Sequence, residues 1–81
     1  MPYQSLKDLP KGVQHVLPEH AEEIYLAAFN SAYEEYKEPS KRRGDESREV
    51  VAHKVAWAAV EHIYEKDALG KWVKKVKTNN L

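Results

Sequence analysis

The sequence predicts a mainly α-helical fold with a minor β component, made of three helices and a small two-stranded sheet. Apolar residues recur at spacings of three and four over residues 18–37 and again over residues 46–64, which predicts two longer helices. After Asp67 this spacing is lost. Gly70 then separates a short segment, residues 71–77, that suits a β-strand or a last helical turn.

The first predicted helix is short and is opened by Pro10, a residue that is favoured in the first turn of a helix. Val13, Val16 and Leu17 would give it one apolar face. Pro18 ends it, because the residue before a proline is disfavoured in the α region. Pro18 can also begin the second helix, residues 18–37, where early glutamates suit the helix dipole. Its predicted core stripe is Ala21, Ile24, Tyr25, Ala28, Phe29, Ala32 and Tyr36.

The third predicted helix, residues 46–64, has two apolar stripes, with Asp45 or Ser47 as its N-cap and its end near Lys66-Asp67. One stripe holds Val51, Ala52, Val55, Ala59 and Ile63, and the other holds His53, Trp57, Val60 and Tyr64. A helix that is apolar on two sides requires cover on both sides, so this helix is predicted to be the buried centre of the domain. The predicted core residues are Ile24, Ala28, Phe29, Ala52, Val55, Trp57, Ala59, Tyr64 and Trp72.

For residues 71–77 the strand is favoured over the helical turn, in a pairing with Pro2-Tyr3-Gln4. Residues 1–75 are expected to form one domain, and residues 76–81 a disordered tail. The chain has no cysteine for a disulfide or a thiolate zinc site. Its longest apolar run, Val55–Val60, is far shorter than the ~20 residues of a membrane span. Since the N-terminus also lacks a secretory signal, we expect a soluble, cytoplasmic protein, and a monomer.

Charge is balanced overall but uneven along the chain. The 13 basic and 13 acidic side chains cancel, yet residues 17–38 hold six glutamates against one lysine. Basic residues collect in two segments, Lys41-Arg42-Arg43 with Arg48, and the Lys71–Lys77 tail. Such an electrostatic dipole can orient a partner without identifying it.

No residue pattern predicts catalysis, a metal or a cofactor. His53 lies four residues after Glu49, and His20 three residues before Glu23, but neither pair has the further ligands that a zinc site requires. His53 is better explained as an aromatic packing residue in line with Trp57. The sequence holds no G-x-S-x-G motif and no glycine-rich phosphate loop, so an enzyme is not expected.

Nucleic-acid binding is one functional hypothesis, because phosphates and bases are bound by lysines, arginines and stacking aromatics such as Trp72. The sequence pI of about 6.9 opposes it, since a dedicated binder is usually strongly basic. The alternatives are that Trp72 covers the core and that Trp57 and Tyr64 either pack internally or anchor a protein partner. A helper protein with no fixed partner is a third hypothesis.

The chain resembles the ChaB-like family over about residues 1–75. The residues that carry the resemblance are Met1-Pro2-Tyr3, Leu9-Pro10, His15-Val16-Leu17-Pro18, His20-Ala21, Ile24-Tyr25, Ala28-Phe29-Asn30-Ser31-Ala32, Tyr36-Lys37, Arg42-Arg43, Ser47-Arg48-Glu49, Ala52 to Val60, Tyr64 and Lys71-Trp72. The departures are Asp67 to Gly70 and the tail from Val76 to Leu81.

The resemblance implies three helices with a small sheet, related to half of a cyclin-box arrangement. It also implies a regulator of a calcium or sodium/proton antiporter in the membrane, acting without catalysis. For that role the expected partner contacts are Arg42, Arg43, Arg48, Lys74 and Lys75, which would meet the cytoplasmic face of the transporter. The alternative function is nucleic-acid binding through Lys41, Arg42, Arg43 and the Lys71–Lys77 tail.

Overall fold

In a computed structural model, which describes residues 3–41, 44 and 46–75, the chain forms three α-helices followed by a β-hairpin. The helices are α1 (Lys11–Val16), α2 (Glu19–Glu35) and α3 (Arg48–Ile63). Two 3-10 turns, Leu6–Asp8 and Pro39–Lys41, precede α1 and follow α2. The mainly helical fold class with a minor two-stranded sheet is therefore confirmed.

The core lies where α2 packs against α3. From α2 it receives Ala21, Tyr25, Phe29 and Ala32, and from α3 Ala52, Ala56 and Val60, all of them buried. These positions repeat every three or four residues, so one face of each helix is removed from water. Leu9, Val13 and Leu17 cover one end of the same core, and Tyr64 extends it beyond α3.

Helix α3 begins where the sequence predicts. The Ser47 side chain accepts a hydrogen bond from the Val50 N–H at 3.2 Å, which confirms Ser47 as the N-cap. Its end differs from the prediction. The helix stops at Ile63, because Tyr64 takes extended dihedral angles and starts strand β1 (Tyr64–Lys66).

The sheet contains a different strand pair from the predicted one. Strand β2 (Trp72–Lys74) runs antiparallel to β1, with Tyr64 opposite Lys74 and Lys66 opposite Trp72. The predicted pairing with residues 2–4 is wrong for Tyr3, whose backbone is used elsewhere. The Tyr3 N–H donates to Asn30 Oδ1 at 2.9 Å, and Asn30 Nδ2 donates to the Tyr3 carbonyl at 2.7 Å. The N–H and carbonyl of Tyr3 are therefore bonded to Asn30 of α2 and not to a neighbouring strand.

Two predicted apolar positions lie at the surface. Val55 is 36% exposed, so its assignment to the core is corrected, and Val16 is 48% exposed although it belongs to the predicted face of α1. The buried stripe of α3 runs through Ala52, Ala56 and Val60, and Val55 faces away from it. The two apolar stripes predict that α3 is buried on two sides. The exposure of Val55 shows that this prediction is wrong for the stripe that contains it.

The other predicted core residues lie at different depths. Phe29, Ala52 and Tyr64 are buried, while Ile24, Ala28, Trp57 and Trp72 are half-buried against the core, and Ala59 is half-buried on α3. The predicted disordered tail, residues 76–81, lies outside the described residues.

Candidate binding surfaces

Arg48 joins two helices instead of standing out into solvent. Its Nε and Nη2 atoms donate to the Tyr33 carbonyl oxygen at 3.0 and 2.8 Å, and its guanidinium lies 3.8 Å from the centre of the Tyr33 ring. That carbonyl belongs to the last turn of α2, where helical carbonyl groups lack an intrahelical donor. A cation there also complements the negative end of the helix dipole. Arg48 is half-buried and links α3 to α2, while its predicted contact with a partner stays a prediction.

Lys74 and Lys75 are exposed and lie together at the other end of α3. With His62 and Ile63 they line a hollow of about 260 Å³. The Lys75 N–H donates to the Ile63 carbonyl at 2.9 Å, which fixes the strand to the end of the helix. Since α3 rises by ~1.5 Å per residue, Arg48 and Ile63 lie about 22 Å apart along the helix axis, and the lysine pair is at the Ile63 end. The structure therefore separates the predicted contacts, and Arg42 and Arg43 lie outside the described residues.

Trp72 packs against another aromatic side chain. Its ring centre lies 5.5 Å from that of Trp57, and the Lys66 ammonium lies 5.7 Å from its centre on the hairpin. A base-stacking platform requires an open aromatic face. Trp72 is half-buried and packs against the core. Nucleic-acid binding through Trp72 therefore stays a prediction without structural support.

A second hollow, of about 400 Å³, lies between the N-terminal segment and α3. It is lined by Tyr3, Phe29, Glu49, Val50, His53 and Lys54. At its border the buried Tyr25 hydroxyl lies 2.5 Å from His53 Nδ1, and His53 meets Trp57 edge to face at 6.2 Å. Burial raises the pKa of Tyr25 to about 12, so this phenol stays protonated at neutral pH. His53 is thus an aromatic packing residue with one ring nitrogen satisfied, as predicted.

A third hollow, of about 410 Å³, separates the end of α1 from the hairpin. It is lined by His15, Val16, Leu17, Pro18, Gly70, Lys71 and Trp72. Sequence analysis did not single out this surface, nor Leu69 beside it. A signal was present, because Leu69 is an apolar residue between two turn-forming residues, Asp67 and Gly70.

Within the described residues, no group of three histidine or acidic side chains is placed to hold a metal ion. His20 Nδ1 does lie 3.2 Å from Glu23 Oε1, but as an exposed pair on α2. Across residues 3–41, 44 and 46–75, no helix combines the length and the apolar character that crossing a bilayer demands.

The described residues define the class of protein, a small domain of three α-helices followed by a β-hairpin. The sequence matches the ChaB family over residues 9–75. Proteins from Escherichia coli (strain K12) and Shigella flexneri, both named "putative cation transport regulator ChaB", are 59% identical over 75 residues, which is 93% of this chain and 99% of theirs. A solution NMR structure with the same name superimposes with a TM-score of 0.76, at 57% identity, and covers 93% of this chain and all of that one. The chain belongs to the ChaB family.

Proposed function

We propose that this protein is a cytoplasmic, non-enzymatic regulator of cation transport, which binds the cytoplasmic face of a membrane antiporter that exchanges calcium or sodium for protons. The observation that carries the proposal is the identity of 59% with proteins named "putative cation transport regulator ChaB", over nearly their whole length. The antiporter and its cations come from the family resemblance.

The surface best suited to the transporter is the Lys74–Lys75 pair. Both side chains are exposed beside Ile63, which gives an apolar contact next to two positive charges. Complementary charge gives specificity and a faster encounter with acidic loops of a partner. Arg48 is a weaker candidate because its guanidinium is already bound to α2.

A transport assay with a charge-matched control tests the proposal. Inverted membrane vesicles from cells that lack the protein are assayed for calcium- and sodium-driven proton exchange, with and without the purified protein. The wild type is expected to change the rate for at least one cation. The double variant Lys74→Glu/Lys75→Glu should lose that effect, whereas Lys7→Glu/Lys11→Glu, an equal charge change at two exposed lysines elsewhere, should keep it.

The two parts of the proposal fail in different ways. No effect of the wild type on either cation would refute regulation of exchange. Equal behaviour of the two double variants would refute the Lys74–Lys75 contact and leave regulation standing.

A further inference from the structure

Two exposed apolar side chains lie at the hairpin end of the molecule. Among the described residues, the two most exposed large hydrophobic side chains are Leu69, at 81%, and Val16, at 48%. Val16 lines the hollow between α1 and the hairpin, and Gly70, which follows Leu69, lines it from the opposite side. We define the hairpin-tip surface as His15, Val16, Lys66, Leu69 and Lys71.

The turn that presents Leu69 is firmly hydrogen-bonded. Asp67 Oδ1 accepts from the N–H groups of Leu69 and Lys71, both at 2.9 Å. The Asp67 N–H donates to the Lys71 carbonyl at 2.8 Å, and Gly70, with a φ of +82°, donates to the Asp67 carbonyl at 3.0 Å. The backbone that carries Leu69 is therefore ordered, and its side chain is exposed to solvent. An apolar side chain that an ordered turn presents to solvent in this way indicates a contact surface.

Charged residues of both signs lie around Leu69. Lys66 and Lys71 lie at the two sides of the turn. The Asp67 carboxylate accepts hydrogen bonds from two backbone N–H groups, so it points into the turn. Glu65 pairs with Val73, so it lies on the opposite face of the hairpin from Lys66 and Trp72. Glu19, which follows Pro18 at the border of the hollow, is an acid next to this surface.

We infer that the hairpin-tip surface docks onto an anionic phospholipid bilayer, with Leu69 and Val16 in the headgroup region and Lys66 and Lys71 against the lipid phosphates. A small apolar projection with one lysine on each side of its turn suits a fluid anionic interface, where partial insertion and charge attraction add. One leucine and one valine are too little for a stable protein interface, which buries about 800 Å² per partner. A nucleic acid would use the lysines and leave Leu69 without a contact.

This inference goes beyond the proposed function and does not depend on it. A bilayer contact at the tip would leave Lys74 and Lys75, at the other end of β2, for a protein partner. The two tests are also separate, since lipid vesicles contain no transporter.

The test measures binding of the full chain to vesicles of phosphatidylglycerol and phosphatidylethanolamine, against neutral phosphatidylcholine vesicles, by co-sedimentation at low salt. The wild type should bind the anionic vesicles selectively. Leu69→Glu should weaken binding about tenfold more than Val55→Glu, because loss of apolar insertion adds to an equal change of charge. Val55 is an exposed valine on α3, outside the surface. Lys66→Gln and Lys71→Gln should each weaken binding about fivefold.

Three results would overturn the inference. The first is no binding of the wild type to anionic vesicles at low salt. The second is equal binding by Leu69→Glu and Val55→Glu, with circular dichroism showing both variants folded. The third is displacement of the wild type from vesicles by a single-stranded oligonucleotide that Leu69→Glu binds as tightly, which would assign the lysines to nucleic acid.

Discussion

The α2–α3 interface and the β-hairpin use their apolar residues in opposite ways. Between the helices, Tyr25, Ala56 and Val60 are completely removed from water. In the hairpin, Tyr64 is buried and Trp72 half-buried, but Leu69 projects into solvent. Buried apolar area is the main source of folding free energy. The helix pair therefore stabilises the domain. Residues at the hairpin tip can be substituted, or can bind a partner, without unfolding the domain.

The helix interface combines small side chains on α3 with aromatic side chains on α2. Ala52 and Ala56 of α3 have no exposed surface, so the backbone of α3 can come close to α2. Tyr25 and Phe29 of α2 fill the remaining space, with their ring centres 6.0 Å apart. Tyr3 adds a third ring 4.7 Å from Phe29. The centre of this cluster is the place where one substitution should have the largest effect.

Phe29→Ala is expected to lower the free energy of unfolding by about 3–5 kcal/mol, because it removes a buried ring and leaves a cavity. A domain of this size has little more than that to lose, so the variant should be largely unfolded near room temperature. Urea denaturation followed by circular dichroism measures the change. Leu69→Ala, in the hairpin, serves as the control and should change stability by less than about 0.5 kcal/mol. Equal losses in the two variants would contradict the division between the regions.

Arg48→Ala is expected to cost about 1–2 kcal/mol, since it deprives the Tyr33 carbonyl of a charged donor and removes the cation from the ring. Arg48→Lys keeps the charge without the two-pronged geometry and should recover less than half of the loss. The same denaturation experiment measures both variants. An unchanged midpoint in Arg48→Ala, combined with loss of transport regulation, would return Arg48 to the partner surface.

The helices were predictable from the sequence because a helix with one buried face has apolar residues at every third or fourth position. The stripe of α2 through Ala21, Tyr25, Phe29 and Ala32 repeats at helical spacing, and Ser47 was one of the two predicted N-caps of α3. Val55 was placed wrongly for a physical reason. Both predicted stripes of α3 have helical spacing, but the buried face takes Ala52 from one and Val60 from the other, with Ala56 between them. Periodicity alone does not fix which of several overlapping apolar faces meets the neighbouring helix.

The position of Tyr3 and the role of Arg48 depend on contacts between residues far apart in the sequence, which spacing does not encode. Asn30 binds the backbone of Tyr3, and this side-chain choice excludes the predicted strand pairing. Arg48 meets a carbonyl 15 positions earlier in the chain. From sequence it could only be counted as one of several basic residues, together with Lys74 and Lys75, from which the fold separates it.

Asp67→Ala is expected to have the smallest global effect, below about 1 kcal/mol, although it removes both hydrogen bonds of Asp67 Oδ1 in the turn. The effect should be local, because the turn is exposed and α3 ends before it. Hydrogen exchange would show faster exchange at the Leu69 and Lys71 amides, with the amides of α3 still protected. Glu65→Ala, which removes a neighbouring carboxylate, is the control and should leave the turn amides unchanged. If Asp67→Ala also exposed the amides of α3, the hairpin and the helix pair would be one cooperative unit. If only the turn amides exchange faster, the ordered turn does not stabilise the core. Its apolar tip is then best explained by contact with another surface.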